Sequence, residues 1–162
     1  MKKTLIFLGV LFFVFSVSSF AMQIGYVDIE KVFNKYDGTK KAKEKLQKEV
    51  EKEQKDLEKE KDSILDLKAD IDKKRSILDK KKLAEKEEEL QKKTEKLQAK
   101  TLEIQQKLLG KEKEMTADIV EEIRVIVKKI AKEKKFDYVF EKNMLLYGGE
   151  DITYLVIKKM ND

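Results

Sequence analysis

The side chains of this sequence that could take part in acid–base catalysis are chiefly carboxylates. Glu87, Glu88 and Glu89 form one such run. On an exposed helix, a run of this kind usually forms a solvated face rather than an acid–base pair. The chain has no histidine, so Ser63, Ser76 and the threonines lack the commonest general base. These features predict that the protein is not an enzyme.

Metal-binding and phosphate-binding patterns are also missing from the sequence. No loop gathers several carboxylates at the spacing of calcium ligands. The chain has no cysteine, which excludes disulfides and thiol chemistry. The Gly148-Gly149 pair lacks the lysine and the strand–loop–helix order of a phosphate-binding loop. We therefore expect no metal and no cofactor.

Basic side chains crowd around Asp79, where they could attract acidic partner proteins or an anionic membrane surface. The candidate binding residues in this basic cluster are Lys74, Arg75, Lys80, Lys81 and Lys82. Acidic residues are sparser in the same stretch. The alternative is that the basic side chains only confer solubility and pair with glutamates one helical turn away. Both interpretations stay open at this point.

Apolar residues outside the heptad pattern described below are the second group of binding candidates. They are Leu65, Ile77, Leu102 and Leu109. In a coiled coil the opposite helix covers the heptad residues, whereas these side chains have no obvious partner and could contact another protein. The alternative is that isolated apolar residues on a surface have no particular function.

The composition predicts an elongated, mainly helical molecule. Charged residues make up 43% of the 162 residues, far above the roughly 25% of an ordinary globular domain. The chain has no proline that could break a helix. Its net charge is only +5, so basic and acidic residues are mixed. Mixed charge favours a solvated helix over a nucleic-acid-binding face, and we expect no nucleic-acid partner.

Residues 1–21 have the pattern of a secretory signal peptide. Lys2 and Lys3 precede an apolar run, and Ser19-Phe20-Ala21 offers the small residues that signal peptidase requires. Cleavage after Ala21 would leave 35 basic and 32 acidic residues, a net charge of +3. The alternative is an uncleaved anchor, although the apolar run is shorter than the roughly 20 residues that span a bilayer. We therefore expect an exported protein.

Apolar residues at seven-residue spacing predict a coiled coil. The first series is Val50, Leu57, Ile64, Ile71 and Leu78, with Leu46 and Leu67 at the companion position. The second series is Leu83, Leu90, Leu97 and Ile104, with Leu108 and Met115 at the companion position. The step from Leu78 to Leu83 breaks the register and predicts the tip of an antiparallel hairpin at Asp79–Lys82. The alternative is one continuous helix with a register slip.

Polar residues interrupt the seam of this hairpin. They are Glu53, Glu60, Lys74, Glu87, Thr94 and Thr101. One apolar residue per heptad buries little area, at roughly 25 cal/mol per Å². We therefore expect the hairpin to be flexible and locally unstable. Gly110 lies inside the second helix, where it costs roughly 1 kcal/mol relative to alanine.

The two ends of the chain predict a small body of strands and helices. The N-terminal elements are a strand at Ile24–Asp28, a short helix at Ile29–Tyr36 and a turn at Asp37–Thr39. The C-terminal elements are strands at Phe136–Phe140 and Met144–Tyr147, separated by a turn, and a last helix that Asp151 can cap. The apolar face of that helix is Ile152, Leu155, Val156 and Met160.

The predicted fold class is mainly α with a small β body (α+β), from which a long antiparallel helical-hairpin coiled coil projects. We assign residues 22–38 and 116–162 to the body and residues 39–115 to the hairpin arm. After Met115 the apolar pattern thickens into a wide stripe that belongs against a core. A body with so few strands buries too little surface to be stable as a monomer, so we expect it to oligomerise through its strands.

Both ends of the chain resemble the Skp/OmpH family of periplasmic chaperones. Ile24–Asp28, followed by Val32-Phe33, is similar to the opening strand and short helix of that family. Lys135–Phe140, followed by Asn143 and Leu145–Tyr147, resembles its closing strand pair, and Asp151–Thr153 with Val156 resembles the start of its last helix. The resemblance covers residues 22–162.

This resemblance implies a homotrimer in the periplasm whose helical arms enclose a cavity. Unfolded outer-membrane proteins would be held there without ATP until they are assembled. Family members are commonly strongly basic, whereas this chain without residues 1–21 would carry only +3. The resemblance carries over no residue-level binding site. A second hypothesis is a structural or tethering coiled-coil protein of the cell envelope, which would need no cavity.

Overall fold

The computed structural model describes residues 22–162. The predicted signal peptide, residues 1–21, lies outside the described residues. The described elements are, in order, β1 (Ile24–Val27), α1 (Ile29–Lys35), α2 (Asp37–Lys74), α3 (Lys80–Lys134), β2 (Tyr138–Glu141), a 3-10 turn (Lys142–Met144), β3 (Glu150–Asp151) and α4 (Thr153–Asn161). None of the helices in residues 22–162 combines the length and the hydropathy of a membrane-spanning segment.

The helices α2 and α3 form a long antiparallel hairpin, which confirms the predicted fold class. Helix α2 has 38 residues, which corresponds to roughly 57 Å of helix. Both helices consist largely of lysine, glutamate, leucine and glutamine, which are good helix formers. Ile71 of α2 and Ile104 of α3 are buried between the helices. The predicted alternative of one continuous helix is therefore wrong.

The hairpin turns earlier than predicted. The chain reverses over residues 75–79, whereas Lys80–Lys82, which we had placed at the tip, form the first turn of α3. The reason is a cap, because the Asp79 carboxylate accepts the backbone N–H of Lys82 at 2.9 Å. Leu78, predicted as a heptad residue, lies in the turn, where its N–H donates to the carbonyl of Lys74.

The predicted turn at Asp37–Thr39 is also wrong, because α2 already begins at Asp37. Only Tyr36, with φ −77° and ψ 125°, separates α1 from α2. The backbone N–H of Asp37 donates to the Asn161 side chain of α4 at 2.9 Å. A residue from the far end of the chain thus caps the start of the hairpin, and no local sequence pattern indicates that contact.

The body contains a parallel sheet of three strands with the order β2-β1-β3. The predicted strand at Phe136–Phe140 is displaced to Tyr138–Glu141, and the predicted strand at Met144–Tyr147 is wrong. Because β2 and β3 both run parallel to β1, the chain must cross back between them. Residues 142–149 make that connection, with positive φ at Gly148 and Gly149.

A single apolar core joins the sheet to the base of the hairpin. Its buried residues are Val27, Val32, Ile119, Ile123, Ile130, Ile152 and Val156. They come from β1, α1, α3 and α4, so the two ends of the chain and the wide stripe of α3 form one body. The predicted apolar face of the last helix packs against this core. The Asp151 carboxylate accepts the N–H of Thr153, the first residue of α4, at 2.9 Å.

The Gly38→Ala substitution should destabilise the protein by about 1–3 kcal/mol, because its new methyl group would overlap the ring of Tyr36, which folds back over this glycine. Gly110→Ala is the matched control. No atom lies within 4 Å of the added methyl group there, so alanine should stabilise the helix by about 0.5–1 kcal/mol. Urea unfolding of both variants measures the difference. Equal effects at the two sites would contradict the role of the Tyr36–Gly38 contact.

Candidate binding surfaces

Ion pairs connect the two helices of the hairpin along their length. Acidic residues of α2 face basic residues of α3, and the N–O distances are 2.5 Å for Glu49–Lys111, 2.8 Å for Glu53–Lys107, 2.5 Å for Glu60–Lys100 and 2.8 Å for Asp70–Lys86. The sequence had placed Glu53 and Glu60 at polar seam positions. The structure shows that each has a partner on the opposite helix.

The hydroxyl groups of the seam threonines form hydrogen bonds within their own helix. The hydroxyl groups of Thr94 and Thr101 donate to the carbonyl oxygens of Leu90 and Leu97, each at 2.8 Å. These bonds lie within α3, so the threonines add no attraction between the helices. Ion pairs this accessible to water are strongly screened and add little to stability. They therefore set the register of the hairpin more than they stabilise it, and the flexibility of the arm stays a prediction.

The basic cluster lies together at the tip of the hairpin, but much of its charge is neutralised there. Lys74 pairs with Asp70, Arg75 pairs with Glu87 at 2.8 Å, and Lys82 lies 3.8 Å from Asp79. Lys80 and Lys81 form no salt bridge with any residue between 22 and 162. The positive charge available to a partner is therefore smaller than the sequence suggested.

The apolar candidates are all exposed, but the structure does not bring them together. The exposed fractions are 52% for Leu65, 78% for Ile77, 56% for Leu102 and 53% for Leu109. Ile77 lies in the turn at the tip, beside the basic cluster. Leu102 and Leu109 lie two turns apart on one side of α3, and Leu65 lies on α2. Their role in binding stays a prediction.

The connection between β2 and β3 exposes apolar side chains that the sequence interpretation had assigned to a strand. Met144 is 75% exposed, and Leu146 and Tyr147 are almost completely exposed. Exposed large apolar side chains that are close in sequence can mark a site of protein contact. The glycine pair at positions 148 and 149 is the sequence signal that could have predicted a loop here.

A groove at the root of the hairpin is a further surface that the sequence interpretation missed. Its volume is about 410 Å³. The apolar lining consists of Tyr36, Ala42, Leu46, Met115 and Ile119. A sequence signal does exist, since Glu114, Asp118 and Glu122 recur every four residues beside Met115 and Ile119.

The stability of the hairpin tip should depend on pH through Asp70. Hydrogen bonds from Lys74 and Lys86 lower the pKa of Asp70 from 3.8 to about 2. A lowered pKa means that this stabilisation is complete above the unfolded-state value of 3.8 and is lost as the pH falls towards about 2. Thermal melting followed by circular dichroism should therefore show a falling midpoint across this interval. Asp70→Asn, which keeps every other carboxylate, should lose less, and an identical fall in both proteins would contradict the assignment.

Comparisons with known proteins agree with this architecture. The sequence profile of the family described as "Outer membrane protein (OmpH-like)" matches residues 23–160. The crystal structure of an OmpH-like outer membrane chaperone from Caulobacter crescentus CB15 superposes with a TM-score of 0.81. The alignment covers 87% of this chain and 85% of that chain, at 14% sequence identity, so it establishes similarity of fold. No curated protein matches the sequence.

Proposed function

Because the chain belongs to the family of OmpH-like outer membrane proteins, we propose that it is a chaperone that holds unfolded outer-membrane proteins in the periplasm without ATP. The observation that carries this proposal is the long hairpin, whose exposed apolar residues are spread along a charged surface. Such a surface suits an unfolded protein, because an unfolded protein has no fixed shape. We call the unfolded protein that is held the client. Holding a client on this surface requires no catalytic residues.

Many weak contacts are a physical requirement for a chaperone that uses no nucleotide. Each exposed side chain of Leu65, Ile77, Leu102 and Leu109 can bury only a small apolar area of the client. Linked on one arm, such sites add through their effective concentration while each contact still exchanges quickly. A client is therefore held firmly as a whole and can leave without an energy source.

The basic cluster at the tip would add electrostatic attraction. Lys80 and Lys81 are free of salt bridges within residues 22–162, whereas Lys74, Arg75 and Lys82 have acidic neighbours. We propose that the tip contacts acidic segments of clients or the anionic surface of a membrane. With three of its five cations beside acidic residues, this attraction would be modest and screened by salt.

We further propose that the body, residues 22–38 and 116–162, assembles as a homotrimer from which the arms, residues 39–115, project around a cavity. The exposed Met144, Leu146 and Tyr147 support self-association, since their burial between copies would be favourable. The three-stranded sheet also leaves open edges, and open edges pair readily with another chain.

Replacing Leu146 and Tyr147 together with serine should convert the assembly to smaller species, because the substitutions remove apolar area from the proposed contact while the core of each copy stays intact. Size-exclusion chromatography with light scattering measures the molar mass. The control is Leu109→Ser with Leu102→Ser, which removes similar area from the arm and should leave the mass unchanged. A mass that is the same in both variants and the wild type would contradict this contact.

The experiment that tests the proposed function is light scattering of an unfolded β-barrel membrane protein diluted from urea. The purified chain without residues 1–21 is added at rising ratios and without nucleotide. We expect scattering to fall and to saturate near one oligomer per client. Unchanged scattering at a large excess would reject the chaperone proposal and favour a structural or tethering protein of the cell envelope.

A further inference from the structure

We infer that the groove at the root of the hairpin is a selective client site, which binds an apolar or aromatic side chain flanked by lysine or arginine. This inference rests on the proposed function, and it names the segments of a client that the protein would hold best. Its basis is the combination of an apolar floor with a rim of unneutralised acidic side chains.

The floor of the groove can bury one large side chain. Ala42 and Leu46 of α2, Met115 and Ile119 of α3, and Tyr36 line it. Its volume of about 410 Å³ falls in the range of roughly 300–1,000 Å³ that is typical of sites for small ligands. An aromatic or branched aliphatic side chain would therefore fit, with the adjoining backbone lying across the opening.

The rim carries an excess of negative charge. Glu114, Asp118 and Glu122 lie one turn apart on the same side of α3 and line the groove. None of them forms a salt bridge with another residue in the range 22–162. The rim also contains Lys45, which is equally unpaired in that range, and the Glu49–Lys111 ion pair, which is neutral as a unit. Acidic side chains therefore exceed basic ones by two.

This arrangement differs from the rest of the hairpin. Farther out, the acidic residues that face the opposite helix are paired with lysines, as for Glu53, Glu60 and Asp70. Carboxylates one turn apart repel each other and destabilise a helix unless a cation is supplied. A client segment with lysine or arginine beside its apolar side chain would supply that cation, so the charge complementarity selects this type of segment.

A second groove extends the same surface towards the body. It shares Tyr36, Asp118 and Glu122 with the first groove and adds the half-exposed Val125 and the Met160 side chain. Burial and the neighbouring Glu122 carboxylate raise the pKa of Tyr36. An extended segment of several residues could thus occupy both grooves.

Fluorescence anisotropy with short labelled peptides tests this inference on the complete chain without residues 1–21. The probe has the central sequence Arg-Phe-Arg between glycine and serine residues, and its controls carry Glu-Phe-Glu or Arg-Ala-Arg. We expect saturable binding of the probe and roughly tenfold weaker binding of each control peptide. Equal binding of all peptides, or no binding of the probe, would overturn the inference.

A charge variant locates the binding. Glu114→Gln, Asp118→Asn and Glu122→Gln together keep the shape of the rim, and we expect them to weaken probe binding by roughly tenfold. The matched control is Glu58→Gln, Asp62→Asn and Glu103→Gln, which changes net charge equally at exposed positions away from the groove and should leave binding unchanged. Equal weakening in both variants would overturn the inference, because it would show a general charge effect.

The oligomeric state and the aggregation assay separate the remaining outcomes. If the groove variant changes the molar mass while the probe does not bind, the groove is a contact between copies and the inference fails. If the wild type prevents aggregation but shows no preference among the peptides, the inference fails and the proposed function stands. If the wild type does not prevent aggregation, the proposed function fails, and the inference fails with it.

Discussion

A chain in which Val50–Gly110 is replaced by a linker of about four residues should keep its folded body and the groove at the root of the hairpin, and lose most of its ability to suppress aggregation. The exposed apolar residues proposed to hold clients, Leu65, Ile77, Leu102 and Leu109, all lie in the deleted part. A flexible linker of this length can bridge the roughly 8–10 Å between the axes of two packed helices. Light scattering of a client diluted from urea measures the loss.

The boundaries of this deletion follow from the packing of the body. Ala42 and Met115 pack against the apolar core, so a deletion that includes them would damage the body as well as the arm. Glu49 and Lys111, which form an ion pair, close the shortened hairpin. The circular dichroism and molar mass of the variant are the controls. Full suppression of aggregation by a correctly assembled body would rule out the arm as the holding surface.

Ile123→Ala should reduce the free energy of unfolding by about 2–5 kcal/mol. Ile123 is completely buried at the centre of the core, where α3 meets the sheet and the other helices of the body. Removing three of its carbon atoms leaves a cavity that rigid helices on several sides cannot fill. Urea unfolding measured by circular dichroism gives the change.

Val125→Ala is the matched control for this substitution. Val125 lies two residues later on α3 and is 55% exposed, so its replacement should change stability by no more than about 0.5 kcal/mol. Similar effects at the two positions would mean that Ile123 does not form the centre of the core. Because the hairpin is anchored through α3, a destabilised body should also release the base of the arm.

The structure suggests why the hairpin keeps a defined register although few apolar residues are buried between its helices. Ile71 and Ile104 are the buried apolar residues of the described arm, so little apolar area holds its helices together, while ion pairs such as Glu60–Lys100 act between specific positions. A shift of register would separate these charges and place like charges together. The arm can therefore keep its register while its overall stability stays low, which is what a compliant holding surface requires.

Local patterns were sufficient to predict the elements whose contacts are close in sequence. The heptad series predicted a helical hairpin, because seven-residue spacing places apolar residues on one side of a helix whatever the rest of the chain does. The helical spacing of the apolar residues after Met115 likewise predicted that the base of α3 packs on a core. The resemblance of the chain ends identified the family that the profile match then confirmed.

Contacts between distant residues were decided only by the tertiary structure. The cap of α2 by Asn161 moved the start of the hairpin to Asp37, and the parallel course of β3 turned residues 144–147 from a predicted strand into a connection. Lys74 and Arg75 of the basic cluster proved to be paired, with Asp70 and Glu87. Conversely, Glu114, Asp118 and Glu122 proved to border an apolar groove.

The physical reason for this division is the range of each interaction. Helix propensity, heptad spacing and the signal-peptide pattern depend on neighbours in sequence, so the sequence by itself determined that the chain is largely helical and predicted that it is exported. Pairing of charges across two helices, the register of a parallel sheet and the shape of a groove depend on which distant segments meet. That choice is made by burial of the common core around Ile123, and it appears only when the chain is folded.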